Sequence, residues 1–205
     1  MKSLKKQLSA VVLSAAAFTA NAAEHDHHNH HAHHSGGAEA IEVLKKSPIQ
    51  DASLAGLIND DGKLVQDTDF EGKGRAIFFG FTHCPSVCPM GMTNLSQAIR
   101  KLEEKHGEQA LDNTEFVLVS TDPERDSPAR MKEWLDHFDD RIIGLSGDPD
   151  LLEKKAENYR ANKMGHHSPY LYLLDKEGEY KALVNTQKGV DEIVEAIETH
   201  LLKDP

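Results

Sequence analysis

Apolar residues are arranged in two different patterns along this chain. Continuous apolar runs of five to seven residues, typical of buried strands, occupy 76–81, 115–121 and 141–145. Apolar residues spaced three or four apart, typical of amphipathic helices, occupy 93–105, 127–138, 149–159 and 190–202. Two hairpins are predicted as well, one within 51–65 around Asp60-Asp61-Gly62 and one formed by 170–175 and 180–184.

The order of these elements predicts the fold class. Ser127-Pro128 and Asp148-Pro149 are each a cap residue followed by a first-turn proline, so a helix is expected to begin at both places. Strands that alternate with helices and then end in a hairpin and a helix form an α/β sheet covered on both faces. We therefore predict a thioredoxin-like fold over residues 51–205, with a central mixed sheet and helices on both sides.

The chain has only two cysteines, and both follow the most apolar predicted strand. Cys84 and Cys88 would thus lie at the carboxyl end of that strand, where ligands bind in open α/β sheets. Their spacing allows a disulfide or a shared metal. A static disulfide closing so short a loop would remove little entropy from the unfolded chain. We therefore favour a redox or metal site over a purely structural bridge.

Pro89 determines where we expect the helix after the cysteines to begin. If a helix started at Pro85, Pro89 would be the first residue required to donate an amide hydrogen, which proline lacks. We therefore predict that both cysteines lie on a loop and that the regular helix starts near Thr93. A nearby helix start favours the thiolate, and Cys84 is expected to be the more exposed thiol, with the lower pKa.

Residues 1–22 have the pattern of a cleavable export signal. Three lysines precede an apolar core from Leu8 to Ala17, and small residues follow up to Ala22. The core is too short to span a bilayer comfortably, so an uncleaved anchor is the weaker alternative. The signal predicts a periplasmic protein in an oxidising compartment, where a cysteine pair forms a disulfide unless a reductant or metal prevents it.

A histidine-rich segment follows the predicted signal. Residues 24–34 contain seven of the chain's thirteen histidines and almost no apolar side chain. Such a segment cannot bury enough apolar surface to order itself, so we predict that 23–50 is a disordered tail and linker. Neutral imidazoles bind copper, zinc and nickel, and several within a few residues can chelate without a fold.

The charge of the chain excludes several classes of partner. The formal net charge is −11 with histidines neutral, and loss of the three signal-peptide lysines would make it −14. So acidic a protein does not suit nucleic acid or anionic membrane surfaces. We expect a monomer without a stable membrane span after signal cleavage, which meets cations or basic patches on its partners.

Three segments together resemble the SCO/SenC family of copper chaperones. They are Phe79-Gly-Phe-Thr-His-Cys-Pro-Ser-Val-Cys-Pro89, Val119-Ser-Thr-Asp-Pro-Glu-Arg-Asp-Ser-Pro128, and His167-Ser168 before Tyr170-Leu-Tyr-Leu-Leu-Asp175. The resemblance extends from about Leu54 to Leu202, and three segments in order are more specific than any one of them. It implies a thioredoxin-like copper chaperone that supplies the binuclear copper centre of cytochrome c oxidase, or another periplasmic cuproprotein.

The resemblance also implies a ligand set of Cys84, Cys88 and His167. Two thiolates and one imidazole form a soft three-coordinate site suited to Cu(I), with room for a partner's ligand. The other candidate side chains receive less specific interpretations. We interpret His83 and His166 as exposed neighbours of the site rather than as a fourth ligand, and His106, His137 and His200 as solvated. Met90, Met92 and Met164 could contact Cu(I) but are interpreted as packing residues. Asp122 and Asp126 match the family's acidic segment, and their interpretation as turn and helix-cap residues before Pro128 is at least as well supported.

A second function remains open from the residues themselves. Cys84 and Cys88 could act as the catalytic redox pair of a thiol-disulfide oxidoreductase, perhaps one that keeps a partner's copper-ligand cysteines reduced. Pro169 follows His167-Ser168 at the point where ordinary thioredoxins place a cis-proline opposite their cysteines. The histidine tail and His167 favour a metallochaperone, and whether the chain is also an enzyme stays undecided at this point.

Overall fold

The computed structural model describes residues 49–161 and 168–203 and contains a six-stranded mixed sheet. Its strands are β1 (Ile58–Asn59), β2 (Gly74–Gly80), β3 (Thr114–Ser120), β4 (Ile142–Ser146), β5 (Tyr170–Leu174) and β6 (Tyr180–Asn185), in the spatial order β1-β4-β3-β2-β5-β6. The three central strands β2, β3 and β4 are parallel, whereas β1, β5 and β6 are antiparallel to their neighbours. The carboxyl ends of β2 and β3 therefore lie at the same edge of the sheet.

Within the described residues, four α-helices pack on this sheet: α1 (Val87–His106), α2 (Pro128–Leu135), α3 (Pro149–Asn158) and α4 (Val190–Ile197). Helix α4 continues as a π-helical segment, Glu198–Leu202. The predicted caps of α2 and α3 are present. The Ser127 hydroxyl accepts from the Arg130 amide at 3.3 Å, and the Asp148 carboxylate accepts from the Asp150 and Leu151 amides at 3.0 and 3.2 Å.

Alternate residues of the central strands face two separate cores. Ala76, Phe78, Phe116 and Leu118 pack with α1, α2 and α4 on one face of the sheet. Ile77, Phe79, Val117 and Val119 pack with α3 and the segment before β2 on the other. Every residue of β2 is buried, as expected for a strand covered on both faces. The predicted α/β, thioredoxin-like arrangement is confirmed.

The predicted hairpin around Gly62 is present but very short. Ile58 forms an antiparallel bridge with Leu64, and the Gly62 amide donates to the Asn59 carbonyl at 2.8 Å. The longer hairpin of β5 and β6 forms as predicted, with Leu171 opposite Val184. Because β5 also pairs with β2, Leu171 opposite Phe78, the chain enters β5 at the edge where β2 ends.

The predicted start of the helix after the cysteines is wrong. Helix α1 begins at Val87 rather than near Thr93, which makes Cys88 its second residue and Pro89 its third. The first amide groups of a helix have no acceptor within it, so a proline at the third position removes no hydrogen bond. The Met90 amide makes the first such bond, to the Ser86 carbonyl at 3.2 Å.

No helix in residues 49–161 and 168–203 is both long enough and apolar enough to cross a membrane. The predicted export signal and histidine-rich tail lie outside the described residues.

Candidate metal centre

Cys84 and Cys88 meet where the loop after β2 turns into α1. Cys84 lies on the loop, and the backbone amide of Cys88 donates a hydrogen bond to the Cys84 sulfur at 3.4 Å. No disulfide joins them. Cys84 is 5% exposed and Cys88 1%, and both pack in the core on the α1 face. The structure thus brings the predicted pair together, and Cys84 is the more accessible of the two thiols, as predicted, although both are buried.

Gly80, the last residue of β2, makes room for the Cys88 thiol. A Cβ atom at this position would lie 2.9 Å from the Cys88 sulfur and 2.9 Å from a ring carbon of Phe78. Both distances are far below van der Waals contact, so the thiol can rest against the end of the strand only because this residue has no side chain.

The pKa of the Cys88 thiol is raised to about 12, mainly because the thiol is buried. Hydrogen bonding to Phe81 opposes this shift, whereas hydrogen bonding with Cys84 and the charge of Asp126 contribute to it. The prediction that the helix start favours the thiolate is therefore wrong for Cys88, because loss of water outweighs the helix terminus. A metal that binds this sulfur must displace a proton that the apo protein retains.

Asp126 connects the cysteine loop to two strands from a fully buried position. Its carboxylate accepts from the Thr82 amide at 3.1 Å, the Thr82 hydroxyl at 2.6 Å and the Ser120 hydroxyl at 2.9 Å. Its backbone carbonyl accepts from the Ser146 hydroxyl at 2.6 Å. The interpretation of Asp126 as a helix cap is therefore wrong, because Ser127 caps α2. The Asp126 amide does close a turn to the Asp122 carbonyl at 2.9 Å, while its carboxylate binds Thr82, the residue two before Cys84.

Asp122, by contrast, is the turn residue that the sequence indicated. Its carbonyl accepts from the amides of Arg125 and Asp126, and its carboxylate pairs with the Arg125 side chain.

The segment that leads into β5 is fixed at the same edge of the sheet. The Pro169 carbonyl accepts from the Thr186 amide at 2.8 Å and the Thr186 hydroxyl at 2.9 Å. Asn94 of α1 donates to the Thr186 carbonyl at 2.8 Å, which links this segment to the helix that carries Cys88. No peptide bond in the described residues is cis, so Pro169 does not reproduce the thioredoxin cis-proline.

A groove of about 450 Å³ opens beside this edge, between the end of β2 and helix α3. Its lining includes Phe79, Asp122, Leu152 and Ser168. The Ser168 hydroxyl is buried and has no hydrogen-bond partner in the part of the chain that the structure describes. The residue that directly follows His167 in the sequence thus faces this groove.

The remaining predicted site residues fall into two groups. His166, His167 and Met164 lie outside the described residues. His83 is described and half-exposed, and its Nδ1 lies 3.1 Å from the Thr82 hydroxyl. His106 is not simply solvated, because its Nε2 lies 2.7 Å from the Glu198 carboxylate. Within residues 49–161 and 168–203, no three His, Cys, Asp or Glu side chains are grouped as a metal site.

Sequence reasoning missed Gly80, Thr82 and Ser120 as parts of the site. The sequence did carry a signal for the two hydroxyl residues, because each follows an apolar run at the carboxyl end of one of two adjacent parallel strands. No sequence pattern indicated that Asp126 would accept from both of them.

The fold and this site define a thioredoxin-like protein with a Cys-x3-Cys thiol pair at the carboxyl edge of its sheet. Residues 55–202 match the family model described as SCO1/SenC. The chain therefore belongs to the SCO1/SenC family.

Curated relatives are found in mitochondria of plants and animals. Protein SCO1 homolog 1, mitochondrial, of Arabidopsis thaliana is 32% identical over 151 residues, which cover 69% of this chain and 44% of that protein. Protein SCO2 homolog, mitochondrial, of Mus musculus is 30% identical over 171 residues, 78% of this chain and 66% of that protein. The chain thus spans between about half and two thirds of the length of these relatives.

Solved structures show the same fold. Arabidopsis thaliana ScoI with copper bound has a TM-score of 0.63 and 31% identity, and covers 75% of this chain and 96% of its own. Bradyrhizobium japonicum ScoI with copper bound has a TM-score of 0.60 and 33% identity, and covers 76% and 98%. Both relatives were solved with copper bound, the metal that the sequence resemblance implied.

Proposed function

We propose that this chain is an exported copper chaperone that holds Cu(I) between Cys84, Cys88 and His167 and delivers it for cytochrome c oxidase assembly. The observation that carries the proposal is the pair of adjacent buried thiols at the carboxyl edge of the sheet, in a family with copper-bound members. Copper is the cargo in this account, and its recipient is the copper-site subunit of the oxidase or another periplasmic cuproprotein.

The chemistry of the donors supports copper over harder metals. Thiolates are soft ligands that select Cu(I), and two of them with one imidazole leave a coordination position for a recipient's ligand. The described residues contain no group of three suitable side chains, and the family resemblance supplies His167 as the third donor. His167 is covalently joined to Ser168, which is buried at this edge, and this position supports its assignment as the third ligand.

The predicted export signal supports a periplasmic location, and the histidine-rich tail supports a second, weaker capacity for metal. Imidazole must be neutral to coordinate, so tail binding should weaken as the pH falls below the ordinary histidine range. We propose that the tail binds metal separately from the cysteine site.

The experiment that tests the proposal is a competition titration of the full chain with Cu(I) under reducing, anaerobic conditions. One equivalent should bind tightly, and His167→Ala should weaken that equivalent by at least the roughly 10- to 100-fold that follows loss of an outer-shell partner of a metal ligand. His137→Ala is the matched control, because His137 is exposed and lies in the turn after α2 rather than in the cysteine loop or α1. Tight one-to-one binding that survives His167→Ala would refute the ligand assignment.

Thiol-disulfide exchange is the second candidate function, since two thiols held this close can form a disulfide. The high pKa of Cys88 and the burial of both sulfurs oppose fast exchange at neutral pH. Catalytic reduction of a model disulfide, with both cysteines still reactive in the presence of copper, would favour the oxidoreductase over the chaperone.

A further inference from the structure

His83 is an exposed residue directly adjacent in the chain to one of the two buried thiols. It precedes Cys84, which is 5% exposed, whereas the His83 side chain is 40% exposed. A metal held by two buried sulfurs must reach the surface before a partner can take it. Among the described residues, the imidazole of His83 is thus an exposed nitrogen donor next to a ligand cysteine.

The hydrogen bonds behind His83 fix which ring nitrogen carries the proton. The Thr82 hydroxyl lies 2.6 Å from a carboxylate oxygen of Asp126 and donates its only hydrogen there. Its oxygen, 3.1 Å from His83 Nδ1, can then only accept. Nδ1 must therefore carry the hydrogen, and in the neutral ring Nε2 keeps a bare lone pair.

The contacts of Ser120 show that the hydrogen bonds around Asp126 are all donated toward its carboxylate. The Ser120 hydroxyl accepts from the Asp122 amide at 3.0 Å and donates to Asp126 at 2.9 Å. The Thr82 amide also points at the carboxylate, at 3.1 Å. Every contact of the Asp126 carboxylate in the described residues is thus with a donor. The Thr82 hydroxyl therefore donates to Asp126 and does not accept from it.

This hydrogen-bonding arrangement is the one found around histidines that ligate metals in proteins. A ligating imidazole donates its other N–H to a carboxylate or another acceptor, which fixes the tautomer and orients the ring. In His83 the acceptor is the Thr82 hydroxyl, and the carboxylate of Asp126 stands behind it. The sequence interpretation of His83 as a plain exposed neighbour does not account for this relay.

We infer that His83 is a transfer ligand, whose Nε2 takes Cu(I) from the cysteine pair during handover. The inference rests on the proposed chaperone function. A bond from Nε2 to Cu(I) forms while one copper–thiolate bond breaks, and the released thiolate takes a proton from solvent. Copper stays Cu(I), so no electron is exchanged, and in the Nδ1-protonated neutral ring the Nε2 lone pair is available without loss of a proton. An acceptor's thiolate or imidazole then replaces the remaining protein ligands.

The first test reads the tautomer in the copper-free full chain by long-range proton–nitrogen correlation NMR of the histidine rings. His83 should be protonated at Nδ1 in the wild-type protein and in Thr82→Ser, which keeps the hydroxyl. Thr82→Val removes the acceptor and should abolish that preference. A wild-type His83 protonated at Nε2 instead would overturn the inference, whatever the protein's affinity for copper.

The second test measures the rate at which one bound equivalent of Cu(I) moves to excess bathocuproine disulfonate. His83→Asn keeps an N–H for Thr82 but removes Nε2, and should slow transfer about tenfold, as loss of a shell residue does elsewhere. Its equilibrium affinity for Cu(I) should fall much less than its transfer rate, because Cys84, Cys88 and His167, the proposed resting ligands, are retained. Thr82→Val should also be slow, and Thr82→Ser should transfer at the wild-type rate.

Two controls exclude other routes for the metal. Met90 is 42% exposed near the start of α1, and its thioether could also take Cu(I). Met90→Leu and His137→Asn should both transfer at the wild-type rate. Unchanged transfer in His83→Asn, or slow transfer in Met90→Leu alone, would overturn the inference. Failure of the wild-type protein to bind Cu(I) would instead count against the chaperone function itself.

Discussion

The charged groups near the two ends of strand β2 are stabilised in different ways. At the carboxyl end, Asp126 is fully buried and accepts from an amide and two hydroxyls, with no ion pair from a lysine or arginine among its described contacts. At the amino end, Lys73 forms an ion pair with Glu115 at 2.6 Å. The Glu198 carboxylate lies 2.6 Å from Lys105 and 2.7 Å from His106. All of these side chains are accessible to solvent.

The difference shows which end is built with fixed geometry. Exposed ion pairs tolerate movement and contribute little, whereas a buried carboxylate is costly unless each oxygen has its donors. A cavity of about 590 Å³, larger than the groove of about 450 Å³ at the carboxyl end, lies at the amino end among long exposed side chains such as Lys181 and Lys203. The geometry needed to hold a metal is instead found at the carboxyl end, so cavity size does not locate the site.

Replacement of Asp126 should have the largest effect on stability. Asp126→Ala leaves the Thr82 amide and the Thr82 and Ser120 hydroxyls without an acceptor, and should lower the free energy of unfolding by about 3 kcal/mol or more. Asp126→Asn keeps one acceptor oxygen and should lose less. Urea unfolding of the full chain measures both, and a wild-type midpoint for Asp126→Ala would show that the network does not stabilise the fold.

Alanine at the two glycines that begin and end β2 gives a matched comparison. Gly80→Ala forces a Cβ against the Cys88 sulfur and Phe78, and should cost about 1–3 kcal/mol while weakening Cu(I) binding. In Gly74→Ala the nearest contact is 3.3 Å from a flexible Leu201 side chain, so both effects should be smaller. Equal losses of stability and of Cu(I) affinity in the two variants would contradict the inference that packing is tighter at the carboxyl end of β2.

The cysteines should differ in reactivity toward alkylation, as read by mass spectrometry of the reduced apo protein. Cys84 should react first, and Cys88 should stay protected up to about pH 10, because the pKa of its thiol is raised to about 12. A raised pKa means that folding favours the protonated thiol, so its contribution to stability is lost as the pH rises from about 9 to 12. Faster alkylation of Cys88 at pH 8 would contradict this order.

Glu198→Gln at the amino end should have the smallest effect. Hydrogen bonds from Lys105 and then His106 hold the pKa of the Glu198 carboxyl below its ordinary range. Its stabilisation is therefore present above the ordinary glutamate pKa and is lost as the pH falls through the lowered one. The difference between variant and wild type should shrink in acid and in high salt. If Glu198→Gln lowered the free energy of unfolding as much as Asp126→Ala does, the proposed difference between the two ends would be wrong.

The sequence predicted the fold because apolar periodicity and cap residues carry most of it. The three central strands, the hairpin of β5 and β6 and the caps at Ser127 and Asp148 all formed where expected. It failed at the start of α1, because the role of Pro89 depends on whether it is the third or the fifth residue of the helix. Local sequence does not determine that register.

The site was predicted only in part, for a different physical reason. The adjacency of Cys84 and Cys88 follows from their spacing, but the pKa of Cys88 depends on burial by residues far along the chain. Asp126 likewise accepts from Thr82, which precedes it by 44 residues. Long-range packing of this kind leaves no local pattern, whereas the assignment of His167 came from resemblance and stays a prediction.

The central claim is that Cys84, Cys88 and His167 together hold one Cu(I). X-ray absorption spectroscopy of the full chain loaded with one equivalent of Cu(I) counts the bound atoms directly. The account predicts two sulfur neighbours and one nitrogen neighbour, with the nitrogen lost in His167→Ala and kept in His137→Ala. A wild-type spectrum with nitrogen neighbours alone, or one whose nitrogen persists unchanged in His167→Ala, would contradict it.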